Sequence, residues 1–276
     1  MKRSLILILL VLAGCADSQP TSQINKNGTV KVDPESLKQI SKQWQQMSED
    51  EKLANQALTA YMTGNYDEAL KKYEQAISIN ENSAIAYFGR GNVYLKQGNT
   101  ANALSDYDAA IRLKPDLYNA HLSKAQILHE SGESQKAIQQ FDKVIETDPN
   151  FITAYERRGM VYLQLKQPQK AIEDFKTAIN LSPNYFPSRV GLGLAYVAIN
   201  EKQMAIDNFN LAIEQVERQL SNFGDLDPIS LKRILKSNPM FGVPYYHRGQ
   251  FFLQEGETAK ADLDFTRANE LGYEHE

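Results

Sequence analysis

One spacing dominates this chain. Ala69, Ala103, Ala137, Ala171 and Ala205 follow one another every 34 residues. Four residues after each stands an aromatic: Tyr73, Tyr107, Phe141, Phe175 and Phe209. Three further on come Ala76, Ala110, Val144, Ala178 and Ala212, and Pro115, Pro149 and Pro183 keep the same step. A sixth copy, Ala261, Phe265 and Ala268, is displaced by 56 residues, one period plus an insertion of 22. A period of this length belongs to a stack of like supersecondary units, not to a single irregular core.

The second copy shows what each unit is. Ala84 to Gln97 reads as a first helix, A, and Thr100 to Leu113 as a second, B. Tyr87, Gly91 and Tyr94 share one face of A at helical spacing, and Ala103, Tyr107 and Ala110 share one face of B. Small residues let the two helices approach, and the rings fill the remaining space. Gly98 suits the left-handed residue that ends A, and Gly64, Gly132 and Gly256 recur there. Asn200 takes that place in the fifth copy. Lys166 takes it in the fourth, ahead of Pro168, which leaves room for a different turn. One hairpin cannot bury its apolar face alone, so neighbours stack into a continuous core.

These positions resemble the tetratricopeptide repeat (TPR) family over roughly Asp50 to Tyr273. The resemblance implies an all-α fold, a right-handed superhelical TPR solenoid of helix-turn-helix repeats, with the A helices on the concave side. Six repeats are expected, at 50–83, 84–117, 118–151, 152–185, 186–219 and 242–275, with the insertion at 220–241. Residues 34–48 form an expected N-terminal capping helix with Leu37, Ile40, Trp44 and Met47 on one stripe, and Ser48 with Glu51 forms a capping box for the next helix. At the far end Asp262, Asp264, Thr266, Arg267, Asn269 and Glu270 give the last helix a polar face, so this repeat serves as its own cap. In the insertion, Asp227 caps a short helix begun by Pro228, with Ile229, Ile234 and Leu235 on its apolar side. The insertion is expected to be a solvated excursion lying against the solenoid; the competing expectation is a partner-specific element.

The N-terminus reads as a processing signal. Lys2 and Arg3 precede an apolar run, Ser4 to Ala13, too short to span a bilayer comfortably. It ends in Leu12-Ala13-Gly14-Cys15, which resembles a bacterial lipobox. That resemblance implies a signal peptide at 1–14, cleavage before Cys15, and acylation of Cys15, the chain's one cysteine. Residues 15–33 then form the lipidated Cys and a flexible tether, with a reach of about 20–25 Å as a coil. Cleavage leaves 28 basic against 34 acidic residues, a formal −6, so the body is expected to hang away from an anionic bilayer. Asp17 is one place beyond the residue at which lipoprotein resemblance ties Asp to inner-membrane retention. The expected location is therefore the outer membrane facing the periplasm in a Gram-negative cell, or the outer face of the plasma membrane in a Gram-positive one.

Catalytic groups are sparse. The stretch "GRGNVYLKQGN", residues 89–99, has the glycines of a phosphate loop, but all of it except Gly98 is expected within a helix. Gly91 stays small in every copy and reads as a packing contact. Gly89 becomes Ser123, Arg157, Gly191 and His247, and so reads as free to vary. The four histidines form no metal motif, and no serine lies in a nucleophile elbow. No catalytic residue, metal site or cofactor is assigned. The net charge of −4, without a basic stripe, gives no footprint for nucleic acid.

What remains is a surface. The exposed face of the A helices offers Phe88, Asn92 and Leu95, then Leu122, Gln126 and His129, then Glu156, Met160 and Leu163. Val190, Leu194 and Val197 follow, and Tyr246, Gln250 and Leu253 come last. The stripe is largely apolar, as binding sites are. Some TPR domains grip acidic C-terminal tails with Lys, Arg and Asn; only Asn92 here resembles that clamp, and Phe88, Leu122 and Val190 stand where cations would be wanted. An amphipathic helix or extended apolar peptide fits better. The function expected is a non-catalytic, membrane-anchored adaptor for protein partners of the cell envelope. The alternative is a cell-wall glycan binder or enzyme, with its site around the insertion or at His129 and Glu156.

Overall fold

The computed structural model describes residues 22–24, 30–32, 34–224 and 227–274. The expected signal peptide at 1–14 and the expected lipidation site Cys15 lie outside the described residues. The chain divides into two compact units, residues 1–127 and 128–276.

In the first unit, two short strands, β1 (Ser22–Ile24) and β2 (Val30–Val32), pair antiparallel with Gln23 opposite Lys31. Helices follow: α1 (Pro34–Gln46), α2 (Glu49–Met62), α3 (Tyr66–Ile79), α4 (Ala84–Lys96) and α5 (Thr100–Leu113). Helix α6 (Tyr118–Glu130) runs through the division. The second unit holds α7 (Ser134–Thr147), α8 (Ile152–Gln164), α9 (Pro168–Leu181), α10 (Phe186–Ala198) and α11 (Lys202–Ser221). Helix α12 (Pro228–Ser237), a 3₁₀ turn (Pro239–Gly242), α13 (Val243–Gln254) and α14 (Thr258–Glu270) complete it. The fold is all-α, built from consecutive helical hairpins. Helices α2, α4, α6, α8, α10 and α13 are the A helices.

The periodic positions are the core. Ala69, Ala103, Ala137, Ala171, Ala205 and Ala261 are fully buried, and so are the rings of Tyr107, Phe175 and Phe209. Where the small residue of an A helix is glycine, it sits against the ring of its own B helix. A Cβ placed on Gly91, Gly159, Gly193 or Gly249 would come within 2.6–2.9 Å of Tyr107, Phe175, Phe209 or Phe265. Gly89 corrects the expectation that it is free to vary. A Cβ there would stand 2.3 Å from the Tyr73 ring of the preceding repeat, and Gly191 meets Phe175 at the same distance.

All six turns between A and B helices follow one plan. Gly64, Gly98, Gly132 and Gly256 are left-handed, and so are Lys166 (φ 56°) and Asn200 (φ 60°). The next residue's N–H reaches back to the same carbonyl each time, as in Asn99 to Tyr94 (2.8 Å) and Gln167 to Tyr162 (2.8 Å). The room left for a different fourth turn is not used: Lys166 takes the left-handed conformation, at a steric cost of about 1–2 kcal/mol, and the backbone bond is kept.

At the N-terminal side the Ser48 N–H donates to Glu51 Oε2 (2.9 Å), and Asn55 Nδ2 reaches Met47 Sδ (3.6 Å). In the insertion, Asp227 Oδ1 accepts from the N–H groups of Ile229 (3.0 Å) and Ser230 (3.1 Å) as expected of an N-cap. Two expectations are corrected. The insertion is not a solvated excursion throughout, because Phe241 is buried, stacked on Phe186 (6.4 Å) and edge-on to Phe223 (6.5 Å). Close to it, Gly242 lies under Tyr273 and Ala268, and Gly272 lies against the Leu235 carbonyl. The second half of the insertion therefore covers the end of α14. Ile229 also leaves the apolar side assigned to it and is 73% exposed. On an α-helix it points some 140° away from Ile234.

Candidate functional site

In the first unit the stripe is supported from below. Phe88 lies tilted on Tyr107 (centroids 5.8 Å), and Phe88 and Leu95 flank the buried cluster of Ala103, Tyr107 and Ile127. The Tyr107 hydroxyl donates to Asn92 Oδ1 (2.8 Å). The one clamp-like amide of the stripe is thus bound within its own repeat. Leu122 and Gln126, on α6, are half-buried.

In the second unit α8 packs on α10, and α10 on α13. Met160, Leu163, Leu194, Val197 and Tyr246 rest on the large core cluster while staying part-exposed, and Leu253 is 53% exposed. Val190 is a correction. It is buried in the cluster that holds Phe186, Phe241 and Tyr245, because the insertion brings Phe241 into that core. The end of the stripe is polar: Gln250 Nε2 donates to the Tyr246 hydroxyl (2.7 Å) and its Oε1 lies 3.3 Å from His247 Nδ1. Burial holds the His247 imidazole below its ordinary pKa.

Glu156 is the one carboxylate among the predicted stripe residues. Burial pushes its pKa up, opposed by Arg157, whose Nε lies 3.5 Å away. The structure does not bring Glu156 and His129 together. His129 Nδ1 lies 2.8 Å from Ser134 Oγ, and its Nε2 meets Gln164 Oε1. The order matches a serine–base pair, but its third member is uncharged and cannot stabilise an imidazolium as a carboxylate does. The arrangement ties the end of α6 to α7 and α8. Among the described residues no group of three His, Cys, Asp or Glu side chains could hold a metal, and no helix is long and apolar enough to cross a membrane.

Two features escape the period. Arg90, Arg158 and Arg248 each grip an aspartate of their own B helix, sixteen residues on, through paired bonds of 2.6–2.8 Å to Asp106, Asp174 and Asp264. All three aspartates are buried, so Asp264 does not belong to the polar outer face assigned to it. Arg158 also reaches Asp142 (2.5 Å). The signal was present as an Arg-to-Asp step of sixteen, hidden because the first, third and fifth copies lack it. The second feature is a cleft of about 590 Å³ between α11, α13 and α14, lined by Ile206, Phe251, Phe252 and Leu263 with Lys202 and Glu255 paired at its edge (2.7 Å). No residue of the predicted stripe lines it.

Known proteins share this architecture. Family profiles match as TPR repeat over residues 57–98 and as tetratricopeptide repeat over 91–151 and 152–185. MamA from Desulfovibrio magneticus RS-1 is 22% identical and covers 63% of this chain and 98% of its own, with a TM-score of 0.55. A tetratricopeptide repeat protein from Parabacteroides merdae ATCC 43184 is 19% identical and covers 81% of this chain and 93% of its own, with a TM-score of 0.54. These likenesses concern the fold alone. Comparison with curated proteins gave no match. The profiles run through three consecutive copies, and the same turns and ring contacts continue through the copies beyond them: the chain is a tetratricopeptide repeat protein.

Proposed function

We propose that this chain is a non-catalytic adaptor, anchored through lipid on Cys15 in a bacterial cell envelope, that holds protein partners along its A helices. The observation that carries the reading is the stripe of the second unit, where Met160, Leu163, Leu194, Val197 and Leu253 keep apolar surface in water instead of closing over it. Exposed apolar surface of this extent is tolerated where something binds it. With a single carboxylate in the stripe, the occupant is an amphipathic helix or an extended apolar peptide. The lipid reading rests on the Leu12–Cys15 motif and the apolar run before it.

Site-specific photocrosslinking tests the stripe. A photoreactive residue at Leu253 should yield adducts with envelope proteins, while one at Leu211, exposed on the B helix α11, should not. Equal adducts from both, or none from Leu253, would end the reading. For the anchor, Cys15→Ser should move the protein out of the lipidated membrane pool. Unchanged fractionation with no lost lipid mass would remove that part.

A further inference from the structure

Helix α12 differs in charge from the rest of the molecule. Its ten residues, PISLKRILKS, hold Lys232, Arg233 and Lys236 and no acid, in a chain of net charge −4. At 100° per residue these three cations fall within one arc of about 100°, and Ile229 lies inside that arc. All four side chains are exposed, Ile229 at 73%. Several exposed cations elsewhere are answered locally, as in Lys143 with Glu146, Arg218 with Glu214 and Arg267 with Glu270. Among the described residues nothing answers Lys232, Arg233 or Lys236. Asp227, the nearest described acid in the sequence, spends its carboxylate on the helix cap.

The face is also held in place. Leu235 lies against Gly272, and Phe241 is locked between Phe186 and Phe223, so the opposite side of α12 is committed to the core. A helix fixed on one side, with a ring of cations around an exposed aliphatic side chain on the other, is a complementary surface for an acid-rich apolar segment.

We infer that the outward face of α12 docks an acidic segment of a protein partner, its carboxylates meeting Lys232, Arg233 and Lys236 and one apolar side chain seated on Ile229. An anionic bilayer suits the patch less well. A bilayer is a plane wider than one ten-residue helix, and it would meet the acid excess of the surrounding chain, whereas a peptide meets α12 alone. This site is separate from the A-helix stripe.

The test uses detergent-solubilised full-length protein and a short labelled peptide of Asp and Glu around a central Leu pair, read by fluorescence anisotropy. Binding should weaken with added salt. It should weaken about tenfold or more in a Lys232→Gln, Arg233→Gln, Lys236→Gln variant, as three exposed ion pairs of ordinary strength give. Ile229→Ser should cost about tenfold as well. Leu253→Glu, on the A-helix stripe, should leave this binding unchanged, which separates the two sites. Absence of peptide binding, or equal binding by the triple variant with its helix content intact, overturns the inference. So does a patch that ignores the peptide but favours phosphatidylglycerol over phosphatidylcholine vesicles, which would make it a lipid-binding surface.

Discussion

The fourth and fifth repeats build the same hairpin with different chemistry. In the fourth, α8 buries three residues, Ala154, Gly159 and Val161, and its Arg158 grips Asp174 and Asp142. In the fifth, α10 buries eight residues, Leu192 stands where the arginine would be, and Asn208 replaces the aspartate and bonds back to the Met204 carbonyl. The A-to-B turn and the glycine–ring contact are common to both. The fold therefore requires a close contact at that corner and is indifferent to whether ions or aliphatic groups make it. The choice follows the neighbours: the fifth repeat receives Phe241 from the insertion, and Leu192 belongs to the same buried cluster.

The sharpest way to break this contrast is Arg158→Leu. It leaves two carboxylates uncompensated, one of them buried, and should cost about 3–5 kcal/mol in urea unfolding. Adding Asp174→Asn, which copies the fifth repeat, should recover much of that loss, because replacing both partners removes the stranded charge. If the double variant is no better than the single, the two corners are not equivalent.

Phe241→Ala should cost about 3 kcal/mol by the same measurement, through a cavity among Phe186, Phe223 and their neighbours. A loss below about 1 kcal/mol would return the insertion to the status of a surface excursion. At the fourth turn, Lys166→Gly should raise stability by about 1 kcal/mol, since glycine reaches the left-handed region without a Cβ clash. A fall in Tm would show that the lysine makes a compensating contact.

The smallest effect concerns Glu156. Burial raises its pKa, so the folded chain holds a proton that the unfolded chain has released. The penalty is absent below the ordinary carboxylate range and grows as pH rises through the raised value. Glu156→Gln should therefore raise Tm at neutral pH and leave it unchanged at acid pH. An equal gain at both would mean that charge is not the cause.

Most of the fold was legible because its determinants repeat. The period located the buried alanines and rings, and glycine or asparagine marked five of the six turns. Two kinds of feature were not legible. The Arg–Asp grip is intermittent, so averaging over copies hides it. The placing of Phe241 and Val190 depends on a contact made by a non-repeating segment, for which no second copy offers comparison. Gly89 failed for a related reason: its partner, Tyr73, lies in the preceding repeat, so the column of equivalent residues shows variation without the constraint. Of the stripe, the half-buried apolar residues were readable from helical spacing, whereas the hydrogen bond that occupies Asn92 was not.

The rings of the B helices carry one more consequence. Phe175 touches Gly159 in its own repeat and Gly191 in the next, so a single side chain serves as a joint between consecutive copies. The 34-residue copy is thus the unit that sequence duplicates, but it is not the unit that melts. A chain cut at residue 185 would keep all of the fourth copy and still leave one side of Phe175 bare. Unfolding should spread across that joint in steps that straddle the boundary between copies, as coupling between nearest neighbours dictates.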